Sequence, residues 1–317
     1  MPRAHALRLS GLLLLLVVCV SLYMGYGIRG SLEFALTYRG EKLAGLLVVA
    51  LSISTSTVLF HTITGNRILT PSIMGFDALY VMILSLMVFL LGSQTYVAVP
   101  EQLLFVINAS TLLLVSFGLF ATLLGQVRAD IMRMVLTGII AGVMFRSLSS
   151  LVQRLIDPSE FAVVAANSFA RFSTIDAGLL WVAAPVCLLG IVSAGLLRHR
   201  LDVLALGPEI AINLGEDPRK LSLIALVIVS LLVSTATALV GPVAFLGLLV
   251  VNLAHLVTPT PHHGLQFLTA GLVSAITLVG GQTIMERLFH FTTPLSVIVD
   301  LIGGLVFLFL VFSQAKR

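Results

Sequence analysis

Apolar residues fill this chain in blocks of about twenty, the length an α-helix needs to cross a hydrocarbon core. Ten blocks are legible, over 7–26, 43–63, 74–92, 102–124, 131–151, 177–197, 221–240, 243–257, 265–284 and 294–313. The eighth is short for a full crossing. It opens on Val240-Gly241-Pro242 and closes on Thr258-Pro259-Thr260-Pro261, a pattern for a half-length or re-entrant element as much as for a crossing. The longest polar gap, Gln153 to Asp176, carries its own half-apolar stretch, Phe161 to Phe172, and is too short for a soluble domain. The pattern predicts an all-α polytopic membrane protein of about ten transmembrane helices, a single membrane domain over 1–317.

Three interruptions stand out. The first is Asp202–Lys220, DVLALGPEIAINLGEDPRK. Leu206, Ile210 and Leu214 recur every four residues, which predicts a short helix with one apolar stripe over about 205–215. Gly207-Pro208 starts it, and Gly215 followed by Glu216-Asp217-Pro218 stops it. Such a helix between two spans is either an interfacial element resting on headgroups or a handle for another protein. The second interruption, Gly65 to Tyr80, places Asn66, Arg67, Pro71, Gly75 and Asp77 where a lipid-facing helix would not carry them. It is either an ordinary loop before a capped helix or irregular backbone buried in protein or lining a cavity. The third is the short eighth block, where Asn252 and His255 lie three apart on one face. They suit a translocation path or plain interhelical hydrogen bonding. In the fifth block, Gly138 and Gly142 form a small-xxx-small pair, with Thr137, Ser147 and other small polar residues beside them. Packing and path-lining predict the same residues there.

Composition narrows the class. The 317 residues are 58% hydrophobic and 10% charged, with a mean hydropathy of +1.11, against about one-quarter charged in soluble domains. The net charge of +4 does not imply nucleic acid, because the basic residues stand at span ends. Arg3, Arg8, Arg67, Arg128, Arg133, Arg198, Arg200, Arg219, Lys220, Lys316 and Arg317 fall on one side. Arg29, Arg39, Lys42, Arg146, Arg154, Arg171 and Arg287 fall on the other. The positive-inside rule then puts both termini and Asp202–Lys220 in the cytoplasm. The first block has the basic start of a signal peptide, but Tyr23-Met24-Gly25-Tyr26 is a poor cleavage site, so it reads as an uncleaved span. Cys19 and Cys187 lie in apolar runs and predict no disulfide framework.

Catalytic patterns are absent from the sequence. There is no GxxxxGK[ST], no HExxH, no GxSxG and no cysteine cluster, so no cofactor, nucleotide or metal is expected on this chain. His262-His263 reads as a solvated loop pair. Asp300 lies about 9 Å beyond Pro294 along a helix, nearer the surface than the midplane, which weakens a proton-coupled carrier.

Three stretches, NRILTPSIMGFD at 66–77, LALGPEIAINLGED at 204–217 and GPVAFLGLLVVNLAHLV at 241–257, resemble the membrane subunits of bacterial ABC importers for iron–siderophore complexes and vitamin B12, the FecCD type. The first resembles most the catecholate siderophore permeases. The resemblance covers nearly the whole chain. It implies a B12-importer-type (type II) permease with ten transmembrane helices, paired with a second permease subunit, identical or related. It also implies a cytoplasmic ABC ATPase dimer that carries ATP and Mg, and a periplasmic or lipid-anchored substrate-binding protein. The cargo would be a ferric siderophore crossing the inner membrane, with membrane lipid as the surroundings.

The same resemblance assigns roles to residues. Leu206, Gly207, Glu209, Ile210, Asn213, Leu214 and Gly215 match the coupling helix that enters a groove of the ATPase, with Leu206, Ile210 and Leu214 docking and Glu209, Asn213 and Glu216 at a polar rim. Arg39, Lys42 and Arg287 match basic residues that dock the binding protein. Here the family's RxPR pattern is Arg39-Gly40-Glu41-Lys42, with Glu for Pro and Lys for the second Arg. Thr137, Gly138, Gly142, Ser147, Asn252 and His255 are candidates for the path. The alternatives are a vitamin B12 or haem importer of the same family, a secondary carrier working without an ATPase, and an enzyme or scaffold, for which no catalytic constellation is present.

Overall fold

The computed structural model describes residues 3–27, 31–124, 131–287, 289 and 294–314. Its helices run in the order α1 (Arg3–Gly25), α2 (Leu32–Thr64), α3 (Phe76–Leu91), α4 (Ser93–Ala98), α5 (Glu101–Leu124), α6 (Ile131–Leu155) and α7 (Pro158–Asn167). They continue with α8 (Ala177–Leu196), α9 (Arg198–Leu204), α10 (Pro208–Asn213), α11 (Pro218–Val240), α12 (Leu246–Val257), α13 (His263–Arg287) and α14 (Leu295–Gln314). Every predicted block is a helix. Among the described residues, seven helices are long and apolar enough to cross a membrane, and α3, α12 and α14 are shorter apolar helices. Arg29, Arg128, Lys316 and Arg317, used above for sidedness, lie outside the described residues, as do the side chains of Arg3 and Arg133.

The longest helix, α2, is the bundle's axis, packed by α8, α11, α12 and α13. Its middle is Ser52-Ile53-Ser54-Thr55-Ser56-Thr57, buried throughout. Small hydroxyl side chains suit this position because they let neighbours approach and, at Ser54, Ser56 and Thr57, bond to their own helix. Ser56 Oγ donates to the Ile53 carbonyl (2.9 Å) and Thr57 Oγ1 to the same carbonyl (2.7 Å). Gly247 of α12 lies directly against Thr57, so a Cβ at 247 would strike its side chain. The outward faces of α1, α6, α8 and α14 are apolar and exposed, for example Leu14, Ile140, Trp181 and Leu305, as a lipid-facing or subunit-facing wall should be.

Two spans are broken, each by backbone that is not α-helical before its helix begins. After α2 ends at Gly65, the chain turns back through a 3₁₀ turn, Pro71–Met74, and α3 starts only at Phe76. Gly75 (φ 99°) sits where a Cβ would come within 2.7 Å of the Gly142 Cα, and Met74 covers Gly138. The glycine pair of α6 therefore receives this inserted turn, partway along α6. The second break follows Val240. The 12-residue α12 spans about 18 Å, less than the hydrocarbon core of about 30 Å. The missing length is supplied by 241–245 in non-helical form. Asp300 of α14 accepts the Phe245 N–H at 3.0 Å, satisfying a donor that the start of α12 would otherwise leave orphaned. The two ends of this segment lie at opposite ends of the bundle. The Val240 carbonyl accepts from the Arg171 N–H, whereas the Val257 carbonyl accepts from Arg8 Nη1. The eighth block thus runs from one end of the bundle to the other with a non-helical first part, and Asp300 serves as its cap.

Candidate functional site

One end of the bundle carries the segment from α9 to α10, flanked by the last turn of α2, the end of α12 and the start of α13. Of the predicted helix over 205–215, only Pro208–Asn213 are helical, six residues. Gly207 (φ 103°) and Gly215 (φ 85°) take the left-handed backbone that other residues resist. At the C-terminus the Gly215 N–H donates to the Ile212 carbonyl and the Glu216 N–H to the Ala211 carbonyl, the paired bonds of a Schellman stop. The predicted stripe is corrected in one respect. Leu206 and Leu214 belong to the flanking turns, and Ile212 joins them at the surface. Leu206 is 55% exposed, Ile210 48%, Ile212 62% and Leu214 60%, while Ala211 is buried. Four large aliphatic side chains thus stand in solvent on a six-residue helix and its flanking turns, with Glu209 and Asn213 exposed among them. Ile212 escaped the sequence reading because it is off the four-residue period, which has little meaning in so short a helix.

This segment is fastened from both sides. Glu216 accepts from Arg200 Nε (2.9 Å) and Nη2 (2.8 Å), so it closes the segment on itself rather than offering a polar rim. That hydrogen bond holds the Glu216 carboxyl below its ordinary pKa. Asp217 accepts from the Arg219 and Lys220 N–H groups and caps α11. On the other side, Asp202 of α9 reaches the first turn of α13. Its Oδ1 accepts from the His263 backbone N–H (2.7 Å) and lies 2.7 Å from His263 Nδ1. Burial pulls the Asp202 carboxyl up, but the bonds from His263 outweigh it and hold the group below its ordinary value. His263 Nε2 in turn lies 2.7 Å from Thr62 Oγ1 on α2. The expected solvated pair is therefore half wrong. His263 is 2% exposed and joins α9, α13 and α2, while His262 remains exposed. Sixty-one residues separate Asp202 from His263 in sequence, and no local pattern marks the pair.

The remaining candidates fall in three places. Asn252 and His255 share the face that their spacing predicts. Both meet Arg67, whose carbonyl accepts from Asn252 Nδ2 (3.3 Å) and whose Nη1 lies 2.7 Å from His255 Nε2. On α6, Gly138 and Gly142 are buried under Met74 and Gly75, Thr137 is half-buried and Ser147 is exposed. Arg39, Lys42 and Arg287 gather at the opposite end of the bundle. Arg39 Nη1 donates to the Tyr23, Met24 and Tyr26 carbonyls at the end of α1. Arg39 and Arg287 both donate to the Gly27 carbonyl at 3.3 Å. Lys42 is buried, with its ammonium 4.0 Å from the centre of the Tyr38 ring. The three predicted residues are neighbours, but their donors are largely engaged within the chain. Among the described residues, no group of three or more His, Cys, Asp or Glu side chains is arranged to hold a metal ion.

The profile of the FecCD transport family matches residues 12–313. The petrobactin import system permease protein YclO of Bacillus subtilis (strain 168) is 41% identical over 312 residues, 98% of this chain and 99% of that one. The petrobactin import system permease protein FatC of Bacillus anthracis is 30% identical over 272 residues, 86% of this chain and 77% of that one. Among solved structures, one described as an inward-facing metal-chelate type ABC transporter has a TM-score of 0.82 at 23% identity. It covers 97% of this chain and 99% of the other, and at that identity the likeness is one of fold.

Proposed function

The chain belongs to the FecCD transport family, and on that premise we propose that it is the permease subunit of an ATP-driven importer for a ferric siderophore of the catecholate type. The observation that carries the mechanism is the α10 segment. It exposes Leu206, Ile210, Ile212 and Leu214 and is anchored by Arg200–Glu216 and Asp202–His263. An exposed aliphatic cluster on a clamped helix is suited to docking into a groove of another protein, where burial would stabilise it by about 25 cal/mol per Å². The chain has no phosphate-cradling loop in its sequence, so the partner in that groove is a cytoplasmic ATPase that carries ATP and Mg. Closure of the ATPase dimer moves α10. Asp202 and His263 pass the motion to the ends of α13 and α2, which shifts the spans between inward- and outward-open arrangements.

The cargo assignment rests on the two petrobactin permeases, which match over 98% and 86% of this chain. A second permease subunit completes the path in the inner membrane, with Thr137, Gly138, Gly142, Ser147, Asn252 and His255 as its candidate lining. The Arg39–Lys42–Arg287 corner faces a periplasmic or lipid-anchored binding protein. Both termini are then cytoplasmic, in keeping with Arg8 lying at the same end as α10 through its bond to Val257.

The test is purification of the tagged chain from native membranes with its associated proteins identified. The expected result is an ATPase that co-purifies with wild type and is lost when Leu206, Ile210 and Leu214 are together changed to Asp. Recovery of the chain alone, active in vesicles without ATP, would replace the importer with a secondary carrier.

A further inference from the structure

Between the last turns of α2 and α12, the start of α13 and the α9–α10 link lies a half-open cavity of about 510 Å³. That volume is in the range of small-molecule sites. Its polar side chains are unlike the hydroxyls that line the rest of the bundle. They include Arg67, His61, His255, Asp202 and His263. The one carboxylate is already engaged. Asp202 Oδ1 takes both bonds from His263, and its Oδ2 lies 3.7 Å from His262 Nδ1. Arg67 has no such partner: among the described residues it meets the neutral-capable ring of His255 and no carboxylate. One edge of its guanidinium is used on that ring, and the others remain for a ligand. Two further groups in the wall are buried without a hydrogen-bond partner, His61 Nε2 and Thr258 Oγ1. Buried polar groups are ordinarily paired.

We propose that this cavity binds a small oxyanion-bearing ligand, a carboxylate or phosphate compound, held by the Arg67 fork. A guanidinium free of carboxylate matches two oxygens of one such group at once. His255, whose Nε2 accepts from Arg67, is left with its Nδ1 N–H as a further donor. The carboxylate in its wall, Asp202, is already engaged by His263. The walls come from Ala205 and Leu206 as well as from α2, α12 and α13. A bound anion therefore touches both the exposed segment and the spans that this segment contacts, and its occupancy biases their relative position. The site shares Asn252 and His255 with the candidate path lining, but it stands on the Arg67 geometry and takes a free anion whatever the cargo.

The test uses the purified full chain in detergent, with citrate and inorganic phosphate as probes and chloride at equal ionic strength as the control. Wild type is expected to bind at least one probe saturably by calorimetry, with a matching rise in Tm. Arg67→Gln is expected to weaken binding tenfold or more, and Arg67→Lys, which keeps the charge and loses the fork, several-fold. Arg154→Gln, remote from the cavity, should leave it unchanged. A lipid headgroup presents the same chemistry as a free anion. Binding that persists in phosphatidylcholine nanodiscs and disappears in phosphatidylglycerol nanodiscs assigns the site to lipid, and binding in both assigns it to a soluble anion. Absence of saturable binding of either probe to wild type, or equal binding by Arg67→Lys and wild type, would overturn the proposal.

Discussion

At the scale of single residues, two kinds of side chain decide the structure: those that must be absent and those that must be charged. Gly75 is of the first kind. Its φ of 99° costs a residue with a Cβ about 1–2 kcal/mol, and that Cβ would lie 2.7 Å from the backbone of Gly142, which cannot turn aside. Gly75→Ala is therefore expected to destabilise the purified protein by more than about 2 kcal/mol. An unchanged Tm would show that the inserted turn does not press on α6. Asp202 is of the second kind. A carboxyl held below its ordinary value of 3.8 contributes stability that is fully present above that value and is lost as pH falls through the lower, folded one. Between about pH 5 and pH 3, wild type should lose more Tm than Asp202→Asn, and parallel losses would remove the carboxylate from the account. Near neutral pH, losing these charge-assisted bonds should cost Asp202→Asn about 1–2 kcal/mol.

The broken spans are decided at the scale of elements. A helix of twelve residues begins inside the bundle only if its first N–H groups find acceptors, and Asp300 supplies one at Phe245. Its carboxylate is thus committed to the backbone, which argues against a proton-carrying role. Asp300→Leu is expected to destabilise by about 1–3 kcal/mol because the N–H is left unpaired. Asp300→Asn keeps an acceptor oxygen and should retain most uptake in a vesicle assay. If Asp300→Asn folded normally yet abolished uptake, the cap would be the lesser of its functions. The α10 segment follows the same logic. Two positive-φ glycines and a bidentate ion pair keep six helical residues in place, where an isolated helix of that length would not persist.

For the whole molecule, the arrangement separates two polar ends. Arg8, the α10 segment and the Asp202–His263 link lie at one, and the Arg39–Arg287 corner lies at the other. Sidedness is open to direct measurement with cysteines placed in a variant lacking Cys19 and Cys187. Leu214→Cys, 60% exposed in the wild-type residue, is expected to react with a membrane-impermeant maleimide only after the cells are opened. Glu41→Cys, at an exposed position on the far end, should react in cells with a permeable outer envelope. The reverse pattern would invert the topology and remove the ATPase from α10.

What the sequence determined by itself was the local part of this protein. Ten apolar blocks became ten helices because a span must satisfy its own backbone within one segment. Gly207-Pro208 and Gly215 marked the limits of α10 because left-handed backbone and helix starts have strong residue preferences. The Asn252–His255 face was legible because three residues make nearly one turn. What only the tertiary structure decided was which partner each polar group found. Asp202 with His263, Arg67 with His255, Asp300 with the Phe245 N–H and Arg39 with the end of α1 all join segments remote in sequence. So does the fit of Gly75 against Gly142, which gives the small-xxx-small pair an occupant that no periodicity names. Helical periodicity acts over a few residues, whereas burial obliges a polar group to pair with whatever the fold brings near, and that is a property of the assembled bundle.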